Sequence, residues 1–163
     1  MSGPTFAIAV RPAFPAEEEV LFRIYASTRT EELARTDWSA AQQEAFLRQQ
    51  SAAQLAHYRQ HYPGALFALI TANGRPIGRL FLYQTAHEHR LMDIALFPEW
   101  CGRGIGSSLT AQIIAEADAQ NVPVSLHVER FNPAYRLYTR LGFREVEERG
   151  VYVFMIRPVG GPA

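Results

Sequence analysis

Residues 96–109 read LFPEWCGRGIGSSL, and Gly102, Gly104 and Gly106 alternate between an apolar strand-like run and an apolar helix-like one. A helix start exposes N–H groups that no earlier carbonyl accepts, and it carries a partial positive charge. Glycines at such a corner remove the Cβ atoms that would hold a large anion away from those groups. Gly102, Arg103, Gly104, Ile105, Gly106 and Ser107 therefore make a candidate pyrophosphate cradle, to which Ser107 and Ser108 add hydroxyl donors. The spacing is not the G-x-G-x-x-G of dinucleotide folds. A tight turn with no ligand fits the same residues.

A second set of residues can move protons. VPVSLHVE alternates, with Val124, Leu126 and Val128 facing one way and Ser125, His127 and Glu129 the other. Histidine, titrating near pH 6.5, suits a general base, and Asp93 on the neighbouring strand can orient or share it. Each of these residues is equally readable as a polar group on a half-exposed strand face. His57 and His61 have the i, i+4 spacing of a metal pair but lack an evident third ligand. His87 and His89, flanking Glu88, read as surface residues. No metal site is expected.

The composition removes several alternatives. The 163 residues carry a formal net charge of zero, which disfavours a nucleic-acid binder held by phosphate contacts. All sixteen basic residues are arginine. With no lysine there is neither a Schiff-base lysine nor the Gly-Lys-Ser/Thr of phosphate-loop NTPases. One cysteine, Cys101, cannot form an internal disulfide. The opening MSGPTFAIAV lacks a basic region and has too short an apolar run for a signal peptide, and no stretch has the length of a membrane helix. The expectation is a cytoplasmic protein with no membrane or nucleic-acid partner, built as one domain over 1–163 with a flexible tail from 158.

The elements around these residues follow from periodicity and punctuation. FAIAVRPAF (6–14) predicts a first strand, and the segment from Pro15 to Leu33 a helix with acidic residues in its first turn. Ser39 and Gln42 fit a capping box for a long polar helix that Pro63 ends. Asn73-Gly74 marks a hairpin turn between two apolar runs. A strand over 89–97, a helix over 104–120, a strand over 122–129, a short helix over 132–141 and a closing hairpin over 143–158 complete the chain. The order predicts an α/β, mixed α+β arrangement: six to seven strands in a mixed sheet flanked by about four helices.

CGRGIG (101–106) and NPAYRLYTRLGF (132–143), one strand apart, resemble the paired motifs of the GNAT superfamily of acetyl-CoA-dependent N-acetyltransferases. The first resembles R/Q-x-x-G-x-G/A at a strand–helix corner, and the second the Asn-led N…A…LY…LGF helix. The order of elements is similar over nearly the whole chain. The resemblance implies that backbone amides of the glycine corner hold the CoA pyrophosphate. It also implies that Ile94, Leu96 and Phe97 offer backbone contacts to pantetheine, the amide of Leu96 polarising the thioester carbonyl. Asn132 is then expected to meet pantetheine, and Tyr138 to lie near the thioester sulfur as the acid that protonates the leaving thiolate. His127 stands where the similar ribosomal-protein acetyltransferases place a glutamate base. Cys101 departs from the usual Arg or Gln. It reads as a small neutral substitution or as a thiol able to form a mixed disulfide with CoA.

The family's acceptor lies under the first helices and the final hairpin. Arg29, Trp38, Phe46 and Glu129 are the acceptor-binding candidates, with Thr28, Glu32, Gln50, Tyr58 and Tyr152 near them in the same segments. The implied reaction is acetyl transfer from acetyl-CoA to a primary amine, on a small molecule or a peptide or protein N-terminus, by direct attack. A non-catalytic acyl-CoA-binding or sensor module is the alternative, and a nucleotide-binding module a third. A homodimer through the apolar closing hairpin VYVFMI is compatible with the sequence, as is a purely internal sheet.

Overall fold

The computed structural model describes residues 5–161. Seven strands form a mixed sheet in the order β1 (Ile8–Pro12), β2 (Leu66–Ala72), β3 (Arg75–Gln84), β4 (His89–Leu96), β5 (Val124–Glu129), β7 (Tyr152–Arg157), β6 (Arg144–Arg149), and five α-helices occur among the described residues. The chain divides into two compact units. One comprises the residues up to Phe81 together with Asp93–Arg103; the other comprises Leu82–Met92 and the residues from Gly104 onward.

In the first unit, β1 (Ile8–Pro12) pairs antiparallel with β2 (Leu66–Ala72), Ile8 opposite Ala72. β2 turns into β3 (Arg75–Gln84) at Asn73 and Gly74, both at positive φ, 49° and 83°. Two consecutive left-handed residues are what a tight twisted hairpin needs, and Asn-Gly tolerates them best. Ala68–Ala72 and Ile77–Leu82 are buried without a break, so these strands are covered on both faces and read as apolar runs rather than alternating ones.

The segment expected as one helix from Pro15 to Leu33 is a 3-10 turn over Pro15–Glu17, α1 over Glu18–Ser27 and a single turn, α2, over Thr30–Leu33. The break has a local cause. Ser27 Oγ donates to the Ile24 carbonyl and Thr28 Oγ1 to the Tyr25 carbonyl, each at 2.7 Å. Hydroxyls that take carbonyls three residues back compete with the helix ladder. α3 (Ala40–His61) starts at the expected capping box: Ser39 Oγ accepts from Gln42 N–H and Gln42 Oε1 from Ser39 N–H. Only Leu47, Ser51 and Leu55 of this helix are buried, a stripe at four-residue spacing flanked by half-buried Gln43, Phe46, Gln54 and Tyr58, with the other glutamines exposed. Tyr25, Leu33 and Leu47 form a cluster with Phe22, Ala26 and Phe46 packed against it.

In the second unit, β4 (His89–Leu96) begins, α4 (Ile105–Ala119) follows the glycine corner, and β5 (Val124–Glu129) lies parallel to β4. α5 (Ala134–Arg140) leads into the hairpin of β6 (Arg144–Arg149) and β7 (Tyr152–Arg157), and β7 pairs antiparallel with β5 from Val124↔Arg157 to Glu129↔Tyr152. Pro158–Gly161, the start of the expected tail, are tied back: Arg157 donates to the Gly161 carbonyl at 2.6 Å and Gly160 N–H to Asp118 at 3.0 Å. Residues 162 and 163 lie outside the described residues. No helix among the described residues is long and apolar enough to cross a membrane.

Candidate active site

The glycine corner has the geometry of an open helix start. Gly102 and Gly104 stand at φ +75° and +80°, a region that residues with a Cβ enter at a cost. Gly104 caps α4 without any side-chain hydrogen bond, and the first intrahelical bond runs from Ser108 N–H to the Gly104 carbonyl. The N–H groups of Ile105, Gly106 and Ser107 therefore have no helical acceptor. A Cβ built on Gly102, Gly104 or Gly106 meets no atom within 4 Å. The glycines thus line open space rather than relieve a packing clash, and an anion with several oxygens fits donors arranged in this way.

Cys101 is exposed, and its thiol turns back toward the end of β4, 3.7 Å from the Leu96 carbonyl and 3.6 Å from that of Phe97. Arg103 is also held back. Its Nε donates to the Glu99 carbonyl, and its guanidinium lies 4.7 Å from the Trp100 ring centroid.

Along β4, Met92 to Phe97 are all half-buried. Within the second unit, parallel pairing joins His89–Leu91 of β4 to Val124–Leu126 of β5. Ile94 and Leu96 belong to the stretch of β4 in the first unit, and Phe97 follows it. Phe97 N–H donates to the Ile77 carbonyl of β3. Gly78, next along β3, lets β4 approach closely: a Cβ there would fall 2.3 Å from the Ala95 carbonyl oxygen. Asp93 is paired with Arg79, whose guanidinium reaches Oδ2 at 2.5 Å.

In the other unit, His127 is exposed on β5 and stacks on Phe154 with ring centroids 4.8 Å apart. Partial desolvation of the ring, followed by repulsion from Arg90 and Arg149, pushes its pKa below the ordinary histidine value, against a weaker pull from Glu147 and Glu88. Ser125, expected on the same outward face, is fully buried. It donates a short hydrogen bond to Glu88 and accepts from Arg90 Nε at 3.0 Å. Tyr138 is 6% exposed on α5, its ring 5.5 Å from that of Phe143. Asn132 Oδ1 accepts from Ala134 N–H at 2.9 Å, which orders the start of α5.

Of the acceptor candidates, Trp38 packs edge-on against Phe46 at 5.0 Å, and Arg29 pairs with Glu32 at 3.2 Å, all within the first unit. Glu129, half-buried, belongs to the second, where it pairs across the ladder with the exposed Tyr152. His57 and His61 lie 4.3 Å apart by ring centroid, and no third metal-binding side chain joins them among the described residues. His89 is not a surface residue. It is 1% exposed, because it opens the β4–β5 ladder opposite the buried Val124.

Sequence reasoning missed Gly78 and Arg79. The signal was present in PIGRLFLY (76–83). A glycine inside a strand marks a close backbone approach, and an arginine inside an apolar run is buried only with partners.

The sequence matches the Acetyltransferase (GNAT) family over residues 27–143. That is well over half of the chain, and the chain belongs to this family. Curated proteins supply no match. Solved structures agree on the fold. The chain is similar to PaiA N-acetyltransferase from Thermoplasma acidophilum in complex with coenzyme A, at 20% identity and TM-score 0.71, covering 93% of this chain and 99% of that one. It is also similar to the ribosomal-protein-S18-alanine N-acetyltransferase from Escherichia coli, at 20% identity and TM-score 0.65, covering 96% and 97%. An acetyltransferase from Thermus thermophilus matches at 22% identity and TM-score 0.65, covering 93% and 96%.

Proposed function

We propose that this protein transfers an acetyl group from acetyl-CoA to a primary amine by direct attack. The observation that carries the reading is the uncapped start of α4, where left-handed Gly102 and Gly104 leave open space before the N–H groups of residues 105–107. That arrangement suits the pyrophosphate of a CoA thioester. The second part of the reading is that backbone groups of Ile94 and Leu96 pair with pantetheine, whereas Phe97, expected beside them, has its N–H on the Ile77 carbonyl and its carbonyl on Trp100 N–H. The N–H of Leu96 is assigned to the carbonyl oxygen whose charge grows during attack, and Asn132 to a further pantetheine contact. The PaiA structure, solved with coenzyme A, is consistent with this assignment.

The reaction forms one N–C bond and breaks one C–S bond. The amine nitrogen loses a proton and the departing thiolate gains one. Amines with pKa values from ~8 to ~10.4 arrive mostly protonated at neutral pH, so a base is required. His127 suits that role because its lowered pKa keeps the imidazole neutral at pH 7. Asp93 is assigned to the acceptor's ammonium, and Tyr138 to the leaving sulfur, because a phenol has a proton to give. Arg29, Trp38, Phe46 and Glu129 are the proposed acceptor contacts.

The second reading is an acyl-CoA-binding module without turnover, and the burial of Tyr138 at 6% exposure is what favours it. Amine-dependent release of the CoA thiol from acetyl-CoA, followed over a panel of primary amines and peptide N-termini, separates the two. Release with at least one amine supports the enzyme. Tight acetyl-CoA binding without release for any amine supports the module.

A further inference from the structure

Arg79 is 2% exposed in the middle of β3, amid a run of buried residues. Its guanidinium meets Asp93 Oδ2 at 2.5 Å, and its Nη2 donates to Gln54 Oε1 at 2.9 Å. Its Nη1 is buried with no hydrogen-bond acceptor. Aromatic faces stand in: Arg79 Cζ lies 4.6 Å from the Phe81 ring centroid and 5.5 Å from that of Tyr25. Burying a cation in this way is costly, and an apolar residue of similar volume commonly serves stability as well or better.

The cluster is neutral overall but oriented. The arginine side chain is 3% exposed and the Asp93 side chain 24%, so the positive end is inside and the negative end faces solvent. Only Oδ2 of Asp93 is engaged; Oδ1 bonds to no described residue. Asp93 also lies three residues before Leu96 on β4.

We infer that Arg79 is a positioning residue. It anchors one oxygen of Asp93 so that the other is presented to the acceptor's ammonium group, and the outward negative end selects amines that carry no carboxylate beside the nitrogen. The inference rests on the amine-acetylation reading above. It narrows the acceptor class to peptide α-amines and alkyl amines in preference to free amino acids. An ammonium ion meets an unpaired carboxylate oxygen first, whereas an α-carboxylate is repelled by the same oxygen.

The test uses acceptors in matched pairs, with and without the carboxylate, such as glycinamide against glycine and alanyl peptide amides against alanine. It is run on the wild-type chain, Arg79→Met, Asp93→Asn and the double variant. The wild type is expected to prefer the carboxylate-free member by roughly ten-fold or more in kcat/KM. Arg79→Met should raise the amine KM by roughly ten-fold, the size of one lost charge-assisted contact, with a smaller change in kcat. Acetyl-CoA affinity, measured by calorimetry, should stay within about two-fold because the cradle is untouched. Adding Arg79→Met to Asp93→Asn should have no further effect on the amine KM, which a merely structural arginine would not produce. Gln54→Leu removes only the hydrogen bond from Nη2 to Gln54, leaves the pair with Asp93, and should raise the amine KM by roughly three-fold, a readout that stands if Arg79→Met does not fold. Equal use of both members of each pair overturns the inference, as does an unchanged amine KM in folded Arg79→Met or Gln54→Leu. Failure of the wild type to acetylate any amine while binding acetyl-CoA overturns the transfer reading, and the inference with it.

Discussion

Gly78 is held against Leu96 so closely that a Cβ on the glycine would lie 3.1 Å from Leu96 Cα and 2.7 Å from its Cδ2. The Ala95 carbonyl would be closer still, and it is backbone, so β4 itself must yield. Gly78→Ala is therefore expected to destabilise the protein by about 1–3 kcal/mol, the usual cost of overpacking. It should also lower kcat, because the displaced strand carries the amide assigned to the thioester carbonyl. Thermal unfolding with steady-state kinetics checks both. An unshifted midpoint would show that β4 is free to move away.

Two glycines of the corner should respond with opposite signs. Gly106 lies within α4, is not at positive φ, and has open space where a Cβ would go. Gly106→Ala should stabilise the fold by about 0.5–1 kcal/mol through the lower entropy of the unfolded chain, yet weaken acetyl-CoA binding by narrowing the cradle. Gly104→Ala should destabilise by about 1–2 kcal/mol, because Gly104 is left-handed at φ +80°, and it should weaken binding as well. Melting curves with and without acetyl-CoA measure both effects. A Gly106→Ala variant with undiminished affinity would remove this residue from the cradle.

Tyr138→Phe is expected to lower kcat by roughly 10²-fold or more, the range for loss of a general acid, while acetyl-CoA affinity changes little. Burst-phase and steady-state release of the CoA thiol check it. Unchanged turnover would end the acid role.

Cys101→Ser should leave acetyl-CoA affinity within about two-fold, since backbone N–H groups dominate an anion site of this kind and the thiol faces the Leu96 and Phe97 carbonyls instead. Calorimetry checks this. A large loss would give the cysteine a direct part in binding.

Glu17 accepts two hydrogen bonds from Arg11 at 2.8 Å and one from Phe14 N–H at 2.9 Å. The Arg11 guanidinium first, and then the amide, holds its pKa at about 2 against an ordinary 4.5. A carboxylate with a lowered folded-state pKa contributes stability that is full above the unfolded value and is lost as pH falls through the folded one. The stability gap between wild type and Glu17→Gln should therefore be constant above about pH 5 and close between about pH 4.5 and 2. Denaturant titrations across that range check it, and a gap independent of pH would contradict the assignment.

Local chemistry was readable from the sequence wherever a few adjacent residues decide the backbone. Asn73-Gly74, the Ser39–Gln42 box and the glycine corner all have the structure their residue types demand. The division of Pro15–Leu33 was not readable, because a 3.6-residue pattern does not register that Ser27 and Thr28 hydroxyls take helix carbonyls. Pairings across the fold were also hidden. Asp93 and His127 are both polar residues on strands that the sequence makes neighbours, yet Asp93 bonds Arg79 and His127 stacks on Phe154. Which partner a side chain meets depends on register, and a one-residue slip would change it.

The account's central claim is that the corner at residues 102–107 holds acetyl-CoA, and a thermal unfolding titration with acetyl-CoA, with ATP as the control, tests it most directly. A ligand at 100 times its Kd adds about 2.7 kcal/mol, which for a domain of this size raises the midpoint by roughly 5–10 °C. A rise of that order with acetyl-CoA and none with ATP is the predicted result. No rise with acetyl-CoA, or an equal rise with ATP, would contradict it.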